Sequence, residues 1–136
     1  MLICDTGPLY AVLNRKDEDH ARCMRLFQSH PGPLVVPVPV LTEVCWLLEK
    51  RVGPEAEAAF LEAVADGELT MEGLQLGDIA RMQALVVKYA DFPLGAVDAS
   101  VVAIAERLGT RQIATLDRRH FTAIRDSSGG HFVLAP

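Results

Sequence analysis

The chain has 136 residues, half of them hydrophobic, with a net charge of -5 and a pI near 5.3. That length and composition bury a real core within one domain, and an acidic balance excludes a protein that coats nucleic acid through Lys and Arg alone. No basic leader precedes an apolar run, and no window approaches the roughly 18 apolar residues that span a bilayer, so a soluble, cytoplasmic protein is expected.

In chain order, Leu2 to Cys4 reads as a short apolar strand, and Asp5 follows it directly. "TGP" is a strand-to-helix turn in which Pro8 suits a first helical position, and "LYAVLNR" continues as a helix. Asp17 to Ser29 is a second helix, ended by "HPGP". "LVVPV" is a buried strand, and Pro39 opens a helix through "VLTEVCWLLEKRVG" that Gly53 closes. "PEAEAAFLEAVADG" is amphipathic, with Ala58, Leu61 and Val64 at helical spacing. "ELTMEGL" is a candidate strand, and Gln75 to Ala90 a further helix.

"PLGAVDASVVAIAERLG" is apolar nearly all the way round until Glu106 and Arg107, which predicts a buried helix. "RQIATLD" is a strand ending on Asp117, "RRHFTAI" a turn or short helix, and "HFVL" a last strand. Strands alternating with helices imply a central parallel sheet covered on both faces, hence a three-layer α/β/α fold.

In such sheets ligands bind beyond the carboxyl ends of the strands. Asp5 and Asp117 each follow an apolar strand and point at that edge. Glu43 lies in the first two turns of its helix with Val40, Val44, Trp46 and Leu47 around it. Asp98 has Leu94, Val97, Ala99, Val101 and Val102 for neighbours. A desolvated carboxylate must be paired, protonated or bound to a cation, and nothing basic lies within four residues of Asp5, Glu43 or Asp98. Four such acids suggest one shared divalent ion, and all-oxygen ligation favours Mg²⁺ or Mn²⁺ over Zn²⁺. The plain alternative has Asp5 and Asp98 capping helices, with Glu43 and Asp117 merely exposed.

The stretches "LICDTGPLYAVL", "VPVPVLTEVCWLL", "LGAVDASVVAIAERLG" and "IATLDRRHF", in this order, resemble the PIN domain, in particular the VapC-type ribonuclease toxins of bacterial toxin-antitoxin pairs. The resemblance covers residues 1–136 as one PIN domain. It implies that Asp5, Glu43, Asp98 and Asp117 are the acidic metal-binding quartet, and that Thr115 is the small hydroxyl residue often found two before the last acid. It further implies metal-dependent endonucleolytic cutting of RNA that leaves a 5′-phosphate and a 3′-hydroxyl.

Asp91 is a further acid near the site in sequence, and capping the helix that carries Asp98 competes there with metal binding. Arg118 and Arg119, adjacent to Asp117, are the first candidates to hold the RNA backbone, with Arg15, Lys50 and Arg51 behind them. Of the histidines only His120 lies near a candidate acid. Cys4, Cys23 and Cys45 suggest neither disulfides nor a thiolate metal site, and no nucleophile elbow, dinucleotide fingerprint or P-loop is present. Trp46 and Phe60 read as core or interface residues rather than base-stacking platforms. A cognate antitoxin of the VapB kind and a homodimer are the expected protein partners, and the helices Val38 to Val52 and Gln75 to Ala90 the candidate surfaces. Two other readings remain open: a PIN-like scaffold acting mainly through protein contacts, and a PIN nuclease of RNA maturation or decay without an antitoxin.

Overall fold

Leu2, Ile3 and Cys4 are all buried and have no polar face, which suits a strand flanked on both sides within a sheet. The computed structural model describes residues 1–136, and in it this segment is strand β1 (Leu2–Cys4) at the centre of a five-stranded sheet. The others are β2 (Leu34–Pro37), β3 (Thr70–Glu72), β4 (Gln112–Ala114) and β5 (Val133–Ala135). Their order is β3-β2-β1-β4-β5 and every pairing is parallel.

Helices make the crossovers: α1 (Thr6–Leu13) and α2 (His20–Ser29), then α3 (Val38–Arg51) and α4 (Pro54–Ala65), then α5 (Leu76–Lys88) and α6 (Ala96–Leu108), and last α7 (Arg118–Ala123). The result is the expected three-layer α/β arrangement with an all-parallel sheet. α6 is its central support: Ala99 through Ala105 are all buried, and the helix touches β1, β2 and β4. Gly109, at φ 72°, ends it in the left-handed conformation that glycine adopts without a Cβ clash. Phe60 joins the core, whereas Trp46 is 56% exposed. All three cysteines are free thiols, and no helix is long and apolar enough to cross a membrane.

The boundaries depart from expectation at instructive places. Pro8 is the third residue of α1, not the first, and still lies where a missing N–H costs no helical hydrogen bond. Residues before His20 form turns rather than the start of α2. Gly53 serves as the N-cap of α4 at φ 136°, so it swings one helix into the next as well as ending α3. β4 stops at Ala114, three residues before Asp117. Asp91 lies exposed in the turn after α5, and Gly95 is the N-cap of α6, so the capping role considered for Asp91 is not realised.

Candidate metal centre

The chain leaves β1 for β2 on one side of the sheet, while β4 lies on the other side, so the crevice between the ends of β1 and β4 is the switch point of this topology. Register fixes that crevice: Ile3 is opposite Ile113, Cys4 opposite Ala114, and the Asp5 N–H donates to the Ala114 carbonyl at 2.9 Å. Gly7 closes one wall, because a Cβ there would stand 3.3 Å from the Leu116 Cβ. The first turn of α1 is thereby held close to the segment that carries Asp117.

Asp5, Glu43, Asp98 and Asp117 line a single open pocket of about 550 Å³ at this edge, together with Thr6, Tyr10, Leu47 and Arg51. The four acids come from the end of β1, from α3, from α6 and from the turn after β4, so the fold brings together residues that the sequence scatters. Each is held differently. Asp5 is 5% exposed, and although it stands at the N-cap of α1 its side chain makes no cap hydrogen bond. Asp98 is half-buried in the first turn of α6. Glu43 is half-buried on the flank of α3, whose core stripe is Val40, Val44 and Leu48.

Asp117 is both a pocket residue and a cap. Its side chain accepts from the His120 N–H at 3.1 Å, and its other oxygen pairs with His120 Nδ1 at 2.7 Å. Thr115 is fully enclosed and links two of the acids: its hydroxyl donates to Asp5 Oδ2 at 2.8 Å and accepts the Asp117 N–H at 3.0 Å.

The electrostatics are those of acids crowded out of water. Burial is the largest influence on Asp5 and raises its carboxyl from 3.8 to about 6, with the Thr115 hydrogen bond opposing and the charges of Asp98 and Glu43 adding. Asp98 is raised as well, first by burial and then by Asp117, while His120 pulls it back. Asp5, Glu43 and Asp98 have no salt-bridge partner, and the buried Thr6 hydroxyl beside Asp5 has no hydrogen-bond partner. As the side chains stand, no three of the acids are close enough together to ligate one ion. An oxygen-only donor set, crowded, with three of its four acids unpaired and open to solvent on one side, suits a hard divalent cation that keeps part of its water shell.

The basic candidates stand at different places relative to the pocket. Neither Arg118 nor Arg119 lines the pocket. Arg118 donates to the Pro136 carbonyl, and Arg119 lies 5.2 Å from the centroid of the Phe92 ring. Arg51, ranked behind them by sequence distance, is on the pocket wall. Thr6 and Tyr10 were not singled out from the sequence; their positions one and five residues after Asp5, on the helix it starts, are the signal that would have found them.

Residues 2–126 match the family model described as PIN domain. Ribonuclease VapC26 of Mycobacterium tuberculosis is 38% identical over 135 residues, which is 99% of this chain and all of that protein. The crystal structure of Mycobacterium tuberculosis VapC20, described as a sarcin-ricin loop cleaving toxin, superposes with a TM-score of 0.78 at 23% identity, over 83% of this chain and 87% of that one. VapBC2 from Rickettsia felis, bound to a DNA fragment from its promoter, superposes with a TM-score of 0.73 at 12% identity, over 99% and 98% of the two chains.

Proposed function

The chain belongs to the PIN domain family, and from that premise we propose that it is a Mg²⁺- or Mn²⁺-dependent endoribonuclease, the toxin of a toxin-antitoxin pair, working in the cytoplasm. The observation that carries the reading is the convergence of Asp5, Glu43, Asp98 and Asp117 on one pocket at the switch point of the sheet. The whole-length likeness to a protein named as a ribonuclease supplies the reaction class.

Asp5, Glu43, Asp98 and Asp117 are the residues that would hold the cation. Bound there, it would supply an acidified water and stabilise charge on the phosphate and the leaving oxygen. The residues of the chain do the rest. Thr115 fixes the Asp5 carboxylate and the backbone at Asp117 in one geometry, which ties together two of the acids that line the pocket. His120 orients Asp117 and offsets part of the negative charge felt by Asp98. The open side of the pocket admits a single-stranded phosphate backbone, and hydrolysis directed at phosphorus requires no covalent bond to the protein.

The cognate partner is an antitoxin, in keeping with a structural neighbour described as a toxin-antitoxin complex from Klebsiella pneumoniae. The α5 surface suits a protein partner or a second copy of the chain: Leu76 is 89% exposed and Val87 65%, with Ile79 and Val86 on the same side of the helix. The test is incubation of purified protein with total bacterial RNA, with Mg²⁺ or Mn²⁺ and with chelator, beside folded Asp98→Asn. Metal-dependent cutting that the variant lacks supports the reading. Equal inertness of both proteins across ions, in preparations free of a copurified inhibitor, would refute it in favour of a scaffold.

A further inference from the structure

Glu43, Leu47 and Arg51 are spaced four apart along α3, so they stand one above another on one helix face, and all three line the acidic pocket. Arg51 is exposed, and its guanidinium carbon lies 5.9 Å from the centroid of the Tyr10 ring, within cation–π range. Tyr10 in turn accepts a hydrogen bond from Asn14 Nδ2 at 3.2 Å, which leaves its own hydroxyl proton free to donate. Arg22, Arg81, Arg107 and Arg111 are each committed to a carboxylate, whereas Arg51 is not.

Arg51 also borders a second open cleft, of about 580 Å³, whose rim includes Asn14, Arg15 and Lys16 from the turn that ends α1. Arg15 and Lys16 are exposed and make no salt bridge either. In a chain of net charge -5, three uncommitted cations thus stand on the second cleft, which meets the acidic pocket at Arg51 and has Glu55 as its one acid.

We propose that Arg51, Arg15 and Lys16 form the track along which the backbone of single-stranded RNA leaves the pocket, with Arg51 gripping the phosphate next to the one that is cut. This rests on the ribonuclease reading and names the path of its substrate. A guanidinium resting on an aromatic ring is positioned before RNA arrives, and its planar fork matches two phosphate oxygens. The cations beyond it neutralise the following phosphates, the usual way a groove follows a single strand without reading its sequence. Arg118 and Arg119 are off this path, since neither lines the acidic pocket or the second cleft.

The test measures binding of a fluorescent single-stranded RNA to Asp98→Asn protein at fixed Mg²⁺ over a KCl series. Adding Arg51→Gln is expected to weaken binding about tenfold and to make the slope of log K against log salt shallower by about 0.7, the value of one single-strand phosphate contact. The pair Arg15→Gln and Lys16→Gln is expected to remove about 1.4 from the slope, and the pair Arg118→Gln and Arg119→Gln none. Arg51→Lys keeps the slope, which a loss of fold would not. With Asp98 restored, Arg51→Gln raises KM more than it lowers kcat. A slope unchanged by Arg51→Gln, or a loss confined to the Arg118 and Arg119 pair, overturns the track while leaving the nuclease intact. Failure of the unmodified protein to cut RNA overturns the nuclease and the track together.

Discussion

Thr115 donates a 2.8 Å hydrogen bond to the carboxylate of Asp5, from 110 positions away in sequence, and in the same place accepts the Asp117 N–H. One enclosed hydroxyl thus sets two acids that follow two neighbouring strands. Replacing it with the nearly isosteric Val removes both bonds without opening a cavity. Thr115→Val is expected to cost about 1 to 3 kcal/mol of stability and about tenfold in Mn²⁺ affinity, while Thr115→Ser retains most of both. Urea denaturation and calorimetric Mn²⁺ titration check the two effects separately.

Burial of Asp5 makes the metal-free protein sensitive to pH. Its folded carboxyl titrates at about 6, above the ordinary 3.8, so the folded chain holds that proton more tightly than the unfolded one. The stabilisation is full below the ordinary value and is lost as pH rises through the folded one, a change on the order of 3 kcal/mol between about pH 4 and 6. Asp98 is shifted in the same direction and adds to the trend. In chelator, the urea midpoint is expected to fall across that window, and Asp5→Asn to flatten the fall. Excess Mg²⁺ restores stability at neutral pH, because the cation binds the ionised acids. A midpoint that rises with pH in chelator, or is equally steep in Asp5→Asn, would count against a crowded acid site.

A second charged network holds the fold away from the pocket. Asp78, 3% exposed, closes a capping box with Gln75 at the start of α5 and accepts from Arg107 Nε at 3.0 Å, while Arg107 also reaches Glu72 at the end of β3. Arg107→Met strands the Asp78 charge, at a cost of about 2 kcal/mol; the Arg107 side chain is 22% exposed, which keeps the cost below that of a fully buried pair. RNA cutting at temperatures where this variant remains folded is expected to match wild type, and a comparison of melting temperature with cleavage rate separates the two.

The site was legible in the sequence to the extent that its chemistry was local. Asp5 follows the apolar run Leu2 to Cys4 directly, and Asp98 interrupts a helix that is otherwise apolar on every side, so both stood out. Asp117 was placed at a strand end, but β4 stops at Ala114 because Thr115 and Leu116 already turn toward α7, where Asp117 acts as cap. Adjacency to Asp117 favoured Arg118 and Arg119, yet a helix turns its side chains through about 100° per residue, so neighbours in sequence leave one face at once. The 43, 47, 51 spacing is what places Arg51 on the pocket wall with Glu43. Of the core and interface readings of Trp46 the core one does not hold, because the core stripe of α3 runs through Val40, Val44 and Leu48 and leaves Trp46 exposed. The partnership of Asp78 with Arg107 spans 29 positions and has no local signature.

The central claim is that Asp5, Glu43, Asp98 and Asp117 share a divalent cation. Its most direct test is calorimetric titration of Mn²⁺ into the wild-type protein and into Asp5→Asn, Glu43→Gln, Asp98→Asn and Asp117→Asn, each shown to be folded. Saturable binding that each of the four substitutions weakens, on the order of tenfold or more, is the predicted result. Binding that is absent from the wild type, or equal in all five proteins, would contradict it.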